Sequence, residues 1–412
     1  MQEHRQEINA LYYGLLSLSV YRRVTEQPVT GAVTALVKAA AAGDKAALCS
    51  CCGTLCATLA AAGRLDSLPS AMAEEVLADD NAYSELLSSG EQPPERLQQA
   101  AVRDLGVLYK AATLCREDIA AGLDTYVAAV LPGWGTDPAP APMDQPWDGQ
   151  PEALADYHAR HGCGRFAKHI AFLWRDGALL PVEHPDPIRL SNLKGYEYQR
   201  RIAIDNTLAF LNGFEANNML LYGDRGTGKS STVKAVVNEF AGKGLRMIEL
   251  KKKQLYQLPM LLDRLSKNPL KFILFIDDLS FASNDDNFAA LKAILEGGVG
   301  GRSHNVAVYA TSNRRHLVKE TMADRSGDDL HAMDTRQELM SLSARFGLTV
   351  TFQQPDKDRY DRILLELAKQ YNVQMPSDQL FIKGAAFALR AGGRSPRVAK
   401  QFVELLAAGV KV

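Results

Sequence analysis

The feature that most constrains this chain is the run Gly223-Asp224-Arg225-Gly226-Thr227-Gly228-Lys229-Ser230, a GxxxxGKS spacing. It follows the apolar stretch NMLLY at 218–222 and leads into the helical pattern STVKAVVNEF at 231–240. A strand, a glycine-rich loop and a helix in that order form a cradle for phosphate. The glycines let the backbone wrap close to the anion, and the N–H groups and helix dipole face it. Lys229 can then reach the outer phosphates, and the Ser230 hydroxyl can ligate Mg2+. A chain with this element must build an α/β sheet whose strand ends open onto the loop.

The rest of the C-terminal half supplies that sheet. Apolar runs at 219–222, 245–250, 272–276, 306–310 and 348–352 alternate with amphipathic stretches, which predicts a parallel sheet of five strands with crossover helices. Asp277 and Asp278 follow the run FILFI. A carboxylate there is costly unless it faces water or an ion, so Asp277 is a candidate metal contact and Asp278 a candidate for orienting or deprotonating a water. The competing reading of the pair, held second to this one, is a solvated strand end. The next strand ends in Thr311, Ser312 and Asn313, whose amide can either hold a water against phosphate or cap a loop. Arg345 precedes the fifth strand, and Arg394 and Arg397 flank the start of a last helix. An arginine fork can neutralise phosphoryl oxygens, and each of these is otherwise a surface ion-pair residue. Beyond residue 355 the pattern is helical, at 356–371, 377–390 and 395–409, the last with Ser395 as cap and Pro396 in its first turn.

The N-terminal part has another character. Residues 1–130 carry ten Lys+Arg and sixteen Asp+Glu, against thirty-seven and thirty-two in the remainder, although the whole chain is nearly neutral at −1. No whole-molecule field draws it to nucleic acid or an anionic membrane. Alanine and leucine at helical spacing predict a helical domain over 1–131. The segment 132–151, with six prolines and three glycines, reads as an extended linker. A helical connector is expected over 152–184, including a helix from 154 to 174, then the α/β domain over 185–353 and a helical domain over 354–412.

Six cysteines are too few for a disulfide scaffold. Cys49, Cys51, Cys52 and Cys56 share one alanine-rich helix without histidine and read as small packing residues rather than metal ligands. The apolar run at 10–21 is too short to span a bilayer. A reducing, cytoplasmic setting without membrane attachment is expected.

Together the loop at 223–230, Asp277-Asp278, Asn313, an arginine before the fifth strand and another opening a terminal helix resemble AAA+ P-loop ATPases. More narrowly, NLKGYEYQRR, NNMLLYGDRGTGKSS, FILFIDDLSF, LEGGV, YATSNRRHL, RFGL and GGRSPR resemble the bacterial family known as domain of unknown function 815, over about residues 185–405. The resemblance implies an AAA+ α/β domain with a C-terminal helical lid, binding ATP and Mg2+. It implies phosphate contacts from Lys229 and Ser230, with Ser231 completing the loop, and Asp277 as the Walker B aspartate beside Ser230 on the metal. Asp278 would be the catalytic acid, Asn313 the first sensor, Arg345 an arginine finger, and Arg397 the second sensor with Arg394 as fallback. The segment around Leu193, Gly195 and Tyr196 would hold the adenine. Aspartate at 278, where many AAA+ proteins carry glutamate, and Ala282, where an acid is found in the family, depart from the pattern and bear on hydrolysis rate.

The function expected on this basis is Mg2+-dependent ATP hydrolysis that remodels a client protein held by the N-terminal domain, in a homo-oligomeric ring or filament. The alternatives are a nucleic-acid-associated, ATP-controlled loader and a nucleotide-gated scaffold with little turnover. Lys251, Lys252, Lys253, Arg314 and Arg315 could touch nucleic acid, but a lysine run at a strand end is ordinarily a solvated face, and no recognition motif accompanies it. No aromatic-glycine pore loop stands between Leu250 and Leu255, although Tyr256 lies nearby.

Overall fold

In the computed structural model the chain is described over residues 2–121, 123–266, 268–279, 291, 292, 295, 304–313 and 345–410. Contacts divide it into two compact units, Met1–Lys168 and His169–Val412.

The first unit is helical among its described residues, with long helices at Gln2–Leu16, Pro28–Ala42, Lys45–Ala61 and Glu95–Ala112. Apolar side chains such as Val33, Leu36, Leu55, Leu59, Met72 and Leu108 form its core. Carboxylates organise the helix ends, one of them buried Glu75 and the other exposed Asp44. Glu75 accepts from the N–H groups of Val29 and Thr30, both at 2.9 Å, at the start of the second helix. Asp44 caps the third through Ala46 and Ala47. The cysteines are free, and burial pushes the Cys52 thiol up to about 11, as suits a packing residue.

The expected linker at 132–151 is instead part of this core. Trp134, Met143 and Trp147 are buried within it, and the two indole N–H groups donate to Leu114 O and Met143 O. Proline and glycine exclude a helix here, but they do not exclude burial. Gly135 passes so close to Asp66 that a Cβ would lie 2.0 Å from its carbonyl oxygen.

The second unit is built on a sheet with seven strands among the described residues, not five. They are β1 (Ala171–Arg175), β2 (Ala178–Pro181), β3 (Met219–Gly223), β4 (Leu245–Glu249), β5 (Lys271–Ile276), β6 (Val306–Ser312) and β7 (Leu348–Phe352). Their order is β2-β1-β4-β5-β6-β3-β7. All pairs are parallel except β1 with β2. The five expected strands are present. The extra two fall in the stretch expected to be a helical connector, where only Pro151–His161 and the short Gly164–Lys168 are helical. Asp176 and Gly177, at φ 51° and 76°, make the tight turn between β1 and β2. An Asp-Gly pair between apolar runs is a hairpin signal that helical spacing had masked.

Helices Glu197–Leu211 and Lys229–Phe240 pack on the sheet, with Phe210, Val233, Val236 and Phe275 in the shared core. After β7 come Lys357–Gln370, Ser377–Arg390 and Pro396–Ala407. These have their own core of Tyr360, Ile363, Leu364, Phe402 and neighbours. Ser395 caps the last, accepting from Val398 N at 3.2 Å. No helix among the described residues is long and apolar enough to cross a membrane.

Candidate active site

The strand order brings the sequence-predicted residues to one edge. β3 lies between β6 and β7, with Tyr222 level with Ser312 and Gly223 level with Phe352. β5 pairs with β6 so that Ile276 is level with Ala310. Asp277 therefore leaves its strand beside Thr311. The loop 223–230 emerges at the carboxyl ends of the parallel strands, where open α/β sheets bind ligands.

Local geometry explains the glycines. Gly223 stands at φ 133°, and a Cβ there would lie 2.1 Å from Phe352 O. Gly228, at φ 96°, opens the helix Lys229–Phe240. Lys229 is buried and folds back over the loop. Its Nζ donates to Gly223 O at 2.9 Å, Asp224 O at 2.7 Å and Asn313 Oδ1 at 3.1 Å. Burial lowers its pKa below the usual lysine value, while the charges of Asp224, Asp278 and Asp277 oppose the shift.

Around Lys229 the polar groups form connected chains. Asn313 donates from Nδ2 to Asp278 Oδ1 at 2.7 Å. Ser230 donates to Asp277 Oδ1 at 2.6 Å, and Thr311 donates to the same oxygen at 2.5 Å. Asp278 takes a left-handed backbone, φ 50°. That conformation costs an ordinary L-residue roughly 1 kcal/mol or more, and aspartate tolerates it better than most. Its N–H donates to Thr311 Oγ1 at 3.0 Å. The arrangement joins a cation, two carboxylates, an amide and two hydroxyls beside the loop 223–230.

Ser230 Oγ and Asp277 Oδ1 also suit Mg2+, which prefers oxygen ligands and keeps several waters. Among the described residues no group of three or more His, Cys, Asp or Glu could hold a metal. An ion shared by one hydroxyl, one carboxylate and phosphate oxygens needs no such group.

A cavity of about 490 Å³ adjoins the loop. Gly226, Thr227, Gly228 and Ser231 line one side, Leu193, Gly195 and Tyr196 another, and Arg397 and Lys400 from the last helix a third. Gly195 and Tyr196 both have positive φ, 70° and 60°. The Tyr196 ring stacks on Phe352 at 5.3 Å under the Arg359 guanidinium. Burial pushes the Tyr196 hydroxyl up to about 12, and it donates to Gln353 O at 2.5 Å. The Arg397 N–H donates to Gly226 O at 3.1 Å, so the last helix rests directly on the loop.

Some sequence-predicted residues lie elsewhere. Arg394 lies near Tyr360 and Asp361 and does not line the cavity. Arg345, just before β7, does not line it either. Asp224 and Arg225 are exposed; the Asp224 carboxylate accepts from Gln354 N at 2.6 Å. Lys251, Lys253 and Tyr256 are exposed after β4. Ala282, Arg314 and Arg315 lie outside the described residues. Sequence reasoning gave no role to Arg359, Lys400 or the Thr311 hydroxyl. For Thr311 a signal was available, because it ends the same apolar run that leads to Asn313, two residues on.

A glycine-rich loop after β3, an acid pair after β5, an asparagine after β6 and a helical segment following β7 together define a protein resembling AAA+ P-loop ATPases. The family described as "Protein of unknown function (DUF815)" matches residues 167–410, more than half of the chain, and the chain belongs to that family. No curated protein matches it. Among solved structures, the Thermotoga maritima RuvB Holliday junction branch migration motor is 16% identical, with 54% of this chain and 67% of that chain covered, at a TM-score of 0.36. A mutant of that RuvB gives 16% identity, coverage of 54% and 68%, and a TM-score of 0.37.

Proposed function

We propose that this chain is a Mg2+-dependent ATPase that uses turnover to remodel a client held by its N-terminal helical unit. The observation that carries the reading is the joined set of contacts Lys229–Asn313–Asp278 and Ser230–Asp277–Thr311 beside the loop 223–230. Lys229 exchanges its loop carbonyls for β- and γ-phosphate oxygens. Ser230 and Asp277 hold the ion, which supplies positive charge to the phosphate oxygens. Asp278, steered by Asn313, accepts a proton from the attacking water or orients it. Adenine occupies the cavity beside Leu193, Gly195 and Tyr196, and Arg397 reaches the phosphates from the last helix, which acts as a lid with its neighbours. Arg345 serves a neighbouring copy in a ring or filament, a role supported by its place before β7 and its absence from the lining of its own cavity.

The test is Asp278→Asn in the full chain. We expect ATP affinity close to wild type, hydrolysis reduced by about 10² or more, and a client retained in an ATP-dependent pull-down. Hydrolysis at the wild-type rate would refute the role of Asp278. A wild-type chain that binds no ATP would refute the whole reading.

A further inference from the structure

We infer that Thr311 is a positioning residue for the acid pair, fixing which oxygen of Asp277 and which direction of Asp278 face the phosphate loop. The inference rests on the proposed ATPase reading for its consequence, though not for its geometry.

Thr311 is buried near the end of β6, level with Leu221 of β3. Three of its atom groups engage three consecutive residues of the neighbouring strand end. Its hydroxyl hydrogen goes to Asp277 Oδ1 at 2.5 Å, its Oγ1 accepts the Asp278 N–H at 3.0 Å, and its carbonyl accepts the Leu279 N–H at 2.7 Å. Asp277 Oδ1 also receives Ser230 Oγ and, at 3.2 Å, the Asp278 N–H. One carboxylate oxygen is thus held by Ser230, Thr311 and the backbone, and the orientation of the whole carboxylate follows.

The consequence for Asp278 comes through its backbone. Its N–H is received by Thr311 Oγ1 at 3.0 Å, the shorter of its two side-chain contacts, while φ 50° sets where the rest of the residue goes relative to that peptide. With the peptide fixed, the Asp278 side chain projects toward Asn313, which donates to its Oδ1. Thr311 lies in β6 and Asn313 just beyond its end, so this one segment holds the acid pair by its backbone and its side chains. An aliphatic residue at 311 would leave the Asp278 N–H without that acceptor and Asp277 Oδ1 with one donor fewer. Serine keeps both contacts. The contacts of Lys229 and the loop would be untouched by either change and Ser230 would still hold Asp277, so the effect falls mainly on turnover and only slightly on affinity.

The experiment compares wild type, Thr311→Val and Thr311→Ser in the full chain, reading ATP affinity by titration, kcat and KM by phosphate release, and backbone hydrogen exchange of Asp278. We expect the valine variant to bind ATP within about threefold of wild type while kcat falls roughly 10- to 100-fold, as for a catalytic group displaced by about 1 Å. Its Asp278 amide should exchange roughly tenfold faster or more, and serine should restore both quantities. Unchanged exchange in the valine variant, a loss confined to KM, or a serine variant that behaves like valine would overturn the inference. If valine prevents folding, Thr311→Ala against Thr311→Ser gives the same comparison. If the wild type binds ATP but does not turn it over, the hydrolysis reading fails while the exchange measurement still decides the role of Thr311.

Discussion

Replacing Lys229 by methionine separates what this side chain does for the fold from what it does for a nucleotide. In the fold, Nζ makes three hydrogen bonds, to Gly223 O, Asp224 O and Asn313 Oδ1. As bonds from a charged donor, at about 1.5–3 kcal/mol each, they contribute several kcal/mol, offset by the cost of burying an ammonium group, whose sign is visible in its lowered pKa. The net change in stability on Lys229→Met should stay within about 1 kcal/mol, or roughly 2–4 °C in Tm for a unit of this size. Toward a nucleotide the same ammonium would make charge-assisted contacts of about 1.5–3 kcal/mol each. Losing two of them costs at least about 3 kcal/mol, on the order of 10² in Kd.

Titration of a fluorescent ATP analogue against both proteins, with circular dichroism melts alongside, measures both quantities. A folded Lys229→Met protein that binds within threefold of wild type would refute the assignment. The pH dependence gives a second reading. Because the folded-state pKa lies below 10.5, the unfolded chain binds more protons between the two values. Through that window the contribution of this group to stability rises with pH while its attraction for phosphate is lost. Wild-type affinity should therefore fall there, and the part of that fall due to Lys229 should be missing from Lys229→Met.

Other consequences can be checked as directly. Trp147→Ala should destabilise the first unit by about 3–5 kcal/mol in urea unfolding, because a buried indole of the core is lost; a change under about 1 kcal/mol would mean that 132–151 does not pack as described. A fragment beginning at residue 169 should fold and bind ATP, whereas one beginning at 185 loses β1 with buried Phe172 and Trp174 and should be markedly less stable; equal melting temperatures would show that the β1–β2 hairpin adds nothing. Arg345→Ala should bind ATP almost normally but hydrolyse it about 10³-fold more slowly, and mixing it with Lys229→Met should restore some activity. Failure of mixing, with rates per subunit unchanged down to a monomer, would exclude action between copies.

What was legible in the sequence was whatever depends on neighbours in the chain. The loop 223–230 announces itself because a phosphate cradle needs its glycines at fixed offsets from Lys229. The innermost strands show because a strand covered on both faces is largely apolar, as Phe272–Ile276 of β5 is. The β1–β2 hairpin was hidden by an amphipathic reading that ran through residue 174, although Asp176-Gly177 marks a turn. The proline-rich segment was misread for a different reason. Composition there reports what the backbone cannot do, and the burial of Trp134 and Trp147 depends on distant helices that composition does not reveal.

The contacts that tie the loop to the helical segment are illegible for the same reason, and they bear most on how a nucleotide could move this protein. Gly223 presses on Phe352, and the Asp224 N–H donates to Phe352 O at 2.9 Å. The Asp224 carboxylate holds the Gln354 N–H, and Tyr196 holds Gln353 O. Gly226 O accepts from Arg397 N at the start of the last helix. The loop is therefore attached both to the chain leaving β7, which leads into the terminal helices, and to the last of those helices. A displacement at the phosphate end must either carry these attachments with it or break hydrogen bonds worth about 1 kcal/mol each. On the proposed reading, nucleotide state and the helical segment would be coupled through these contacts alone, because the loop that would cradle phosphate is the loop that carries the attachments.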